Sequence, residues 1–513
     1  MKRIIFQFIL IFGIITCCYT QNVVKGIVFE DANLNSLLDA GEKGIAGVGV
    51  SNGTDVVLTN QNGEYELPAY DNMIVFVIKP SGYRVPVNEM QLSAFYYVHK
   101  PNGSPTLRYS GSVPTGRLPE QVNFPLIKYD EPDDFNIVVF GDTQPYSDRE
   151  IDFLKRSVVE KMIGITDIAF GATLGDLTGD RPDLFEPISS LIAQIGVPWH
   201  HVIGNHDHNF DTDNDRTASE AYEAFYGPAT YSFNYGKVHF IVADNIIHSL
   251  NDEGRARYVG GLREDQFRFI ENDLQLVPAD YLVVFMAHIP LFDEGGETFL
   301  HADRNRLFAA LSKFPHTLSL SGHTHYIKPY FFDGSEGWQR EQPHHHMNIG
   351  AICGDWWRGV VDQYDLPGTM MRDGSPQGYF VMKFTGNNYG YDYHVVRYND
   401  PQQISLYQQD QSLYANFFTG NKFSNLRYRI NGGEWQPMQM VFERDPLFSS
   451  IRQRWDDETG LPGRTPSRPV ISEHLWKADI HVPHSYSIVE VEATDMYGRT
   501  FMQKMLSHVI ELD

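Results

Sequence analysis

A layered α/β core carried between two all-β modules is the architecture this sequence predicts. Its texture changes near residue 130 and again near residue 397. In the middle stretch, continuous apolar runs alternate with helix-type stretches, the pattern of buried strands covered by helices on both faces of a sheet. On either side, short apolar runs are split by turn residues, the pattern of β-sandwiches. The 28 Tyr and 33 Phe strengthen the β content, because aromatic rings suit a pleated, half-buried surface.

Taken in order, residues 1–20 stand apart from the fold. Lys2 and Arg3 are followed by an apolar run, Ile4 to Ile15, broken only by Gln7 and Gly13, and then by a small or polar stretch, Thr16 to Thr20. This is the layout of a secretory signal, too short to span a bilayer. Two ways of processing it are open: cleavage before Gln21, or lipid attachment at Cys17 or Cys18. The expected location is therefore periplasmic, cell-surface or extracellular.

Residues 21–130 form the first β-module. Its runs are Val23–Phe29, Val48–Val50, Val56–Leu58, Tyr65–Leu67, Ile74–Ile78 and Val122–Ile127. Asn52-Gly53 and Asn62-Gly63 are hairpin signals. The Gly-, Pro- and Ser-rich piece from Pro101 to Pro119 reads as an irregular excursion.

Residues 131–397 form the core. Strands are expected at Asn136–Phe140, Ile168–Leu174, Trp199–Ile203, Val238–Ala243, Tyr281–Met286 and Thr317–Leu320. Helices are expected at Arg149–Ile163, Leu184–Ile195, Glu264–Leu276 and Arg304–Phe314. Residues 398–513 return to short strands and turns. Leu426–Ile430 with Asn431-Gly432-Gly433, and Ser487–Glu492 with Thr500–Lys504, read as hairpins of an immunoglobulin-like sandwich.

Composition excludes some functions. With 41 basic against 65 acidic residues, the formal charge is −24, which argues against nucleic acid or an anionic membrane as a partner. Beyond residues 1–20, no run is long and apolar enough for a membrane helix. Cys353 is the one cysteine of the folded body, which makes no internal disulfide and reads as a small buried residue.

The chemistry sits at strand ends. Five apolar runs each lead into a polar cluster: Gly141-Asp142-Thr143-Gln144, Gly175-Asp176 continuing to Gly179-Asp180, Gly204-Asn205-His206-Asp207, His288, and Gly322-His323-Thr324-His325. In open α/β sheets, ligands bind outside the carboxyl ends of the strands, so the five clusters should converge. Asp, Asn and His offer oxygen and imidazole nitrogen to borderline metals such as zinc, manganese or iron. The glycines allow the sharp turns that aim those side chains.

In this order the motifs resemble the calcineurin-like metallophosphoesterase family, over roughly residues 135–396. The resemblance implies a β-sandwich flanked by helices, with a two-metal centre at the strand ends. It implies that Asp142 and His325 bind one metal, that Asp176 bridges both, and that Asn205, His288 and His323 bind the second. It implies that His206, paired with Asp207, lies over the phosphate and protonates the leaving oxygen. Two cations about 3.5–4 Å apart would share the attacking hydroxide. The family's first motif carries a His where this chain has Gln144, and an amide oxygen is a weaker ligand. Gly179 stands where purple acid phosphatases place the tyrosine of their iron site, so a purple centre is not expected, although Phe225-Tyr226-Gly227-Pro228 is similar to that branch.

The expected function is hydrolysis of a phosphomonoester; phosphodiester or pyrophosphate cleavage uses the same centre. The rival from another class is a surface adhesion or carbohydrate-binding protein with a degenerate core. A second cation site is weighed in the first module. There Asp31, Asn33, Asn35, Asp39 and Glu42 have the oxygen-ligand spacing of a calcium loop, with Ser36 in place of its usual Gly. The alternative there is a plain Asx-rich turn. His344-His345-His346 reads as an exposed loop, and His208 as a residue that could line the pocket. The segment Gly350 to Gly359, with Trp356, Trp357 and Arg358, reads equally as a substrate clamp or a packed connection.

Overall fold

The computed structural model describes residues 22–396, 401–480 and 486–507. The leader expected at residues 1–20, with Cys17 and Cys18, lies outside them. No helix among the described residues is long and apolar enough to cross a membrane.

Two central sheets dominate. The first has five strands, in the order Trp199–Val202, Phe170–Leu174, Asp134–Phe140, Gly378–Thr385 and Asn388–Val395. Its first three strands are mutually parallel. The second has six, in the order Tyr231–Tyr235, Val238–Val242, Leu282–Met286, His316–Ser321, His344–Ile349 and Ile327–Phe332. The middle four of these are parallel. Buried on both faces, the parallel strands are continuous apolar runs, as at Leu282–Met286, where all five residues are buried. Because the strands run in parallel, the residues after Phe140, Leu174 and Val202 emerge along one edge of the first sheet. Those after Met286 and Ser321 do so in the second.

The space between the sheets is packed with Phe135, Phe170, Phe233, Phe240 and Phe384, and this apolar cluster continues into the first β-module. Phe76 of that module meets Phe269 of the helix Glu264–Asp273 edge-on at 5.4 Å. The module is a sandwich of two four-stranded sheets, in which Val23–Glu30 and Met73–Ile78 are inner strands. Outside the five-stranded sheet, the helical stretches 148–162 and 182–195 cover a second cluster that includes Cys353 and Trp357. The C-terminal module is also a sandwich of two four-stranded sheets with its own core around Trp476. It carries a helix, Pro446–Asp457, that the sequence reading did not anticipate; Asp445 caps it by accepting the Phe448 N–H.

One expectation is overturned. His344–His346 is not an exposed loop but the start of a strand whose six residues are all buried. The neighbouring strand supplies the reason. Thr317, Ser319 and Ser321 share one face, and their hydroxyls meet the ring nitrogens of His344 and His346 at 2.7–2.9 Å. His345 points the other way, stacked on Phe331 at 4.6 Å. Three consecutive histidines look polar in sequence, but a hydroxyl ladder partners both ring nitrogens of His344 and His346, while His345 meets the Tyr389 hydroxyl through Nδ1 and keeps a buried Nε2 without a partner.

Candidate metal centre

Three of the five turns at the sheet edges are strained in a way that aims a side chain. Gln144, Asp176, His323 and His325 all have positive φ. Such a conformation is uncommon outside glycine and persists where the surroundings over-determine it. Gly204 is required by contact rather than by φ: a Cβ there would lie 1.9 Å from the Asp176 amide nitrogen. The five clusters are thereby drawn together.

Asp176 is central. Its Oδ1 lies 3.2 Å from His288 Nε2 and accepts the His206 N–H at 2.9 Å. Asn205 Oδ1 is 3.0 Å from the same His288 nitrogen, and His323 Nδ1 is 3.1 Å from it. One ligand atom from each of Asp176, His288 and His323 falls within a sphere where all lie within 4.8 Å of one another. On the other side of Asp176, Gln144 Nε2 is 3.4 Å from Oδ2. Asp142 Oδ1 accepts the His323 N–H at 2.9 Å, and its Oδ2 lies 3.4 Å from His325 Nε2.

The tautomers are set from behind. His288 donates Nδ1–H to the Leu174 carbonyl at 2.7 Å, and His325 donates Nδ1–H to that of Gly354 at 2.6 Å. Both therefore turn Nε2 towards the centre, as backing partners of metal-binding histidines do.

These residues fit divalent cations. Asp142 Oδ2 and Gln144 Oε1 are buried with no hydrogen-bond partner, a costly condition unless a cation takes them up. Electrostatics agree. Burial opposes charge on His288, yet the Asp176 and Asp142 carboxylates outweigh it and hold its pKa up, at about 9. Burial, with charged His288 alongside, pushes His323 down to about 3. The pocket thus favours positive charge but cannot place a proton on every imidazole, whereas metal ions displace such protons on binding. The donors separate into Asp142, Gln144 and His325 on one side and Asn205, His288 and His323 on the other, with Asp176 between.

The expected pairing of His206 with Asp207 is not what the fold makes. Asp207 is fully buried, and its carboxylate accepts the N–H groups of Leu177, Thr178 and Gly204 at 2.8–3.0 Å. It braces two turns. His206 instead holds Asp180, with Nδ1 2.6 Å from Oδ1. Burial opposes its charge, but Asp176 and Asp180 raise its pKa to about 9.

His208 is buried beside Asp244 at 3.9 Å and meets His248 edge-on. Cys353 lies behind His325, its sulfur 3.7 Å from Nδ1, and burial pushes its thiol well above the ordinary range. In the first module, Asp31, Asn33, Asn35, Asp39 and Glu42 do surround one another. However, both Asn side chains turn nitrogen, not oxygen, towards Asp39 at 2.8 Å. The Asp31 and Glu42 oxygens accept the N–H groups of Asn35, Ser36, Ala32 and Asp39. As arranged, this is an Asx-rich turn; cation binding there requires both amides to flip. Two rim residues escaped the sequence reading: Tyr146, whose ring meets His206 edge-on at 6.4 Å, and Tyr258, edge-on to His323 at 5.8 Å. Tyr146 stands two residues after Gln144, which is the only signal it gave; Tyr258, on a hairpin, gave none.

Three family models match in chain order. The N terminal of calcineurin-like phosphoesterase matches residues 32–109, calcineurin-like phosphoesterase 135–326, and the C terminal of calcineurin-like phosphoesterase 346–501. No curated protein matches the sequence. Among solved structures, purple acid phosphatase PPD1 from yellow lupin (Lupinus luteus) seeds is similar at 14% identity and a TM-score of 0.37, covering 72% of this chain and 66% of that one. GAP50, the anchor in the inner membrane complex of Plasmodium, is similar at 13% identity and a TM-score of 0.32, covering 52% of this chain and 86% of that one. Since the N-terminal, central and C-terminal models follow one another along the chain, the protein belongs to the calcineurin-like phosphoesterase family.

Proposed function

We propose that the protein is an exported phosphomonoesterase working with two divalent cations, drawn from manganese, zinc and iron. The observation that carries this reading is the division of donors about Asp176. Asp142 Oδ2, buried without a hydrogen-bond partner, lies with His325 on one side, where Gln144 turns its amide nitrogen to Asp176, and the Asn205–His288–His323 group lies on the other. Bound there, the cations supply Lewis acidity and an activated water for attack on phosphorus.

The chain's own residues do the rest. Asp142, Asp176, Asn205, His288, His323 and His325 are the ligands, with Gln144 as a weak amide donor. His206 is neither buried away nor spent: Asp180 fixes its Nδ1, leaving Nε2 to hold a proton for the leaving oxygen. Export is supported by the basic, apolar and polar succession of residues 1–20. No protein nucleophile is required, and Cys353, buried with a raised pKa, is unsuited to be one.

Turnover of an aryl phosphate and of its bis-ester, with manganese or zinc, tests the reading. Monoester hydrolysis that falls about a hundredfold or more in Asp176→Asn is the expected result. Preference for the bis-ester would make the protein a diesterase. Calcium alone bound, with no turnover, would leave the surface-binding rival.

A further inference from the structure

Beside the metal centre lies a group of side chains that the hydrolytic chemistry does not use. Trp356 and Trp357 are consecutive residues at φ 49° and 55°, a region that bulky L-residues rarely enter. Their loop is tied down at several points. Trp357 donates its indole N–H to the Thr143 carbonyl at 3.0 Å, Cys353 N–H reaches the Asp142 carbonyl at 3.0 Å, and Arg464 of the C-terminal module donates to the Trp356 carbonyl. The strain places the Trp356 ring flat against His325, with centroids 3.9 Å apart and planes 25° apart.

Two guanidinium groups border that ring. Arg358 Cζ is 5.6 Å from its centroid and Arg372 Cζ is 6.0 Å from it. Arg372 is anchored by its backbone: its N–H donates to the His325 carbonyl at 2.9 Å, and its carbonyl accepts the Val470 N–H at 3.0 Å. Its Nε is buried without a hydrogen-bond partner. Among the described residues, neither guanidinium forms an ion pair, although the chain carries a formal charge of −24. No local acid among the described residues is paired with either guanidinium. Glu294 takes the Tyr326 hydroxyl, Asp355 accepts the Ser467 N–H with Oδ2 and keeps a buried Oδ1 without a hydrogen-bond partner, and Asp373 accepts the Ile327 N–H and faces His474. Arg149 and Arg464, by contrast, pair with Asp365 and Glu150.

Unpaired guanidinium groups held next to a phosphate-binding centre are suited to a further anion, because their fork of donors matches phosphate or carboxylate oxygens. We infer that Arg358, Arg372 and Trp356 form a subsite for a second anionic group on the substrate, so that the preferred substrate is a phosphoester carrying another phosphate or a carboxylate. This rests on the phosphoesterase reading above and narrows its substrate class.

The test compares kcat/KM of the metal-loaded protein on a hexose monophosphate, a hexose bisphosphate and a phosphorylated hydroxy acid. The expected result is a preference of about tenfold or more for one doubly anionic substrate. Whichever is preferred identifies the second anion as phosphate or carboxylate. Arg358→Ala and Arg372→Ala should each shrink that ratio about tenfold, and the lysine replacements should restore part of it. Wild type without preference, or a ratio unmoved in folded variants, overturns the subsite while leaving the phosphoesterase. No turnover of any substrate removes both. Should an alanine variant not fold, the wild-type ratio must still fall as salt rises; a ratio insensitive to salt overturns the proposal equally.

Discussion

At the scale of single residues, His206 and Asp207 show where adjacency in sequence misleads. They follow one another in the short 3₁₀ turn Asn205–Asp207, and consecutive residues of such a turn point in different directions. His206 faces outwards to Asp180, while Asp207 faces inwards to backbone N–H groups. Asp180 was visible in its motif, but only the fold assigns it the imidazole. The two acids should therefore separate cleanly on substitution. Asp180→Asn should lower kcat about tenfold to a hundredfold with metal content and thermal midpoint retained. Asp207→Asn replaces one of the two accepting oxygens with an NH2 that faces buried N–H groups, and should cost about 1–3 kcal/mol of stability. Thermal melts, metal analysis and steady-state rates on both variants decide it. A silent Asp180→Asn beside a stable but inactive Asp207→Asn would restore the pairing implied by sequence.

At the scale of elements, the strands were legible because a strand buried on both faces must be an uninterrupted apolar run. Those expected at Asn136–Phe140, Trp199–Ile203 and Tyr281–Met286 are found at Asp134–Phe140, Trp199–Val202 and Leu282–Met286. Metal-ligand candidates were legible for the same reason, since each follows such a run. What escaped was whatever lacks that pattern. The hairpin Gly378–Thr385 with Asn388–Val395 completes the first sheet, yet its alternating Tyr and polar residues resemble those of the terminal modules. The strand His344–Ile349 was hidden because its burial depends on hydroxyls from another strand. Ser319 bears most of that burden, since its one hydroxyl meets both His344 Nε2 and His346 Nδ1. Ser319→Ala should leave buried ring nitrogens unsatisfied and cost about 1–3 kcal/mol, lowering the urea midpoint without altering the metal ligands. An unchanged midpoint would mean that the ladder is not what makes these histidines buriable.

At the scale of the whole molecule, both terminal modules reach the rim of the metal centre. From the first, the irregular excursion 101–119 brings the Tyr109 hydroxyl to the Asp180 carbonyl at 3.0 Å, and its own carbonyl accepts from Asn209 at 2.8 Å. From the C-terminal module, Gly463–Arg464 pairs with Gly359–Val360, and Val470 N–H reaches the Arg372 carbonyl. His474 completes the attachment. It is fully buried, with Nε2 2.9 Å from Asp373 Oδ2 and Nδ1 2.8 Å from Asn416 Oδ1. Asp373 follows Arg372 directly, so this contact holds the loop that carries one of the two unpaired guanidinium groups. His474→Ala leaves a buried carboxylate and a buried amide each short of a partner, and should cost about 2–3 kcal/mol. If the module shapes the site, the same change should raise KM for the preferred substrate several-fold while metal loading persists, because His474 touches none of the candidate ligands. Lost stability with an unchanged KM would reduce the C-terminal module to a packing partner. A raised KM would make it part of the substrate-binding face, and would account for an active site whose rim is drawn from all three parts of the chain.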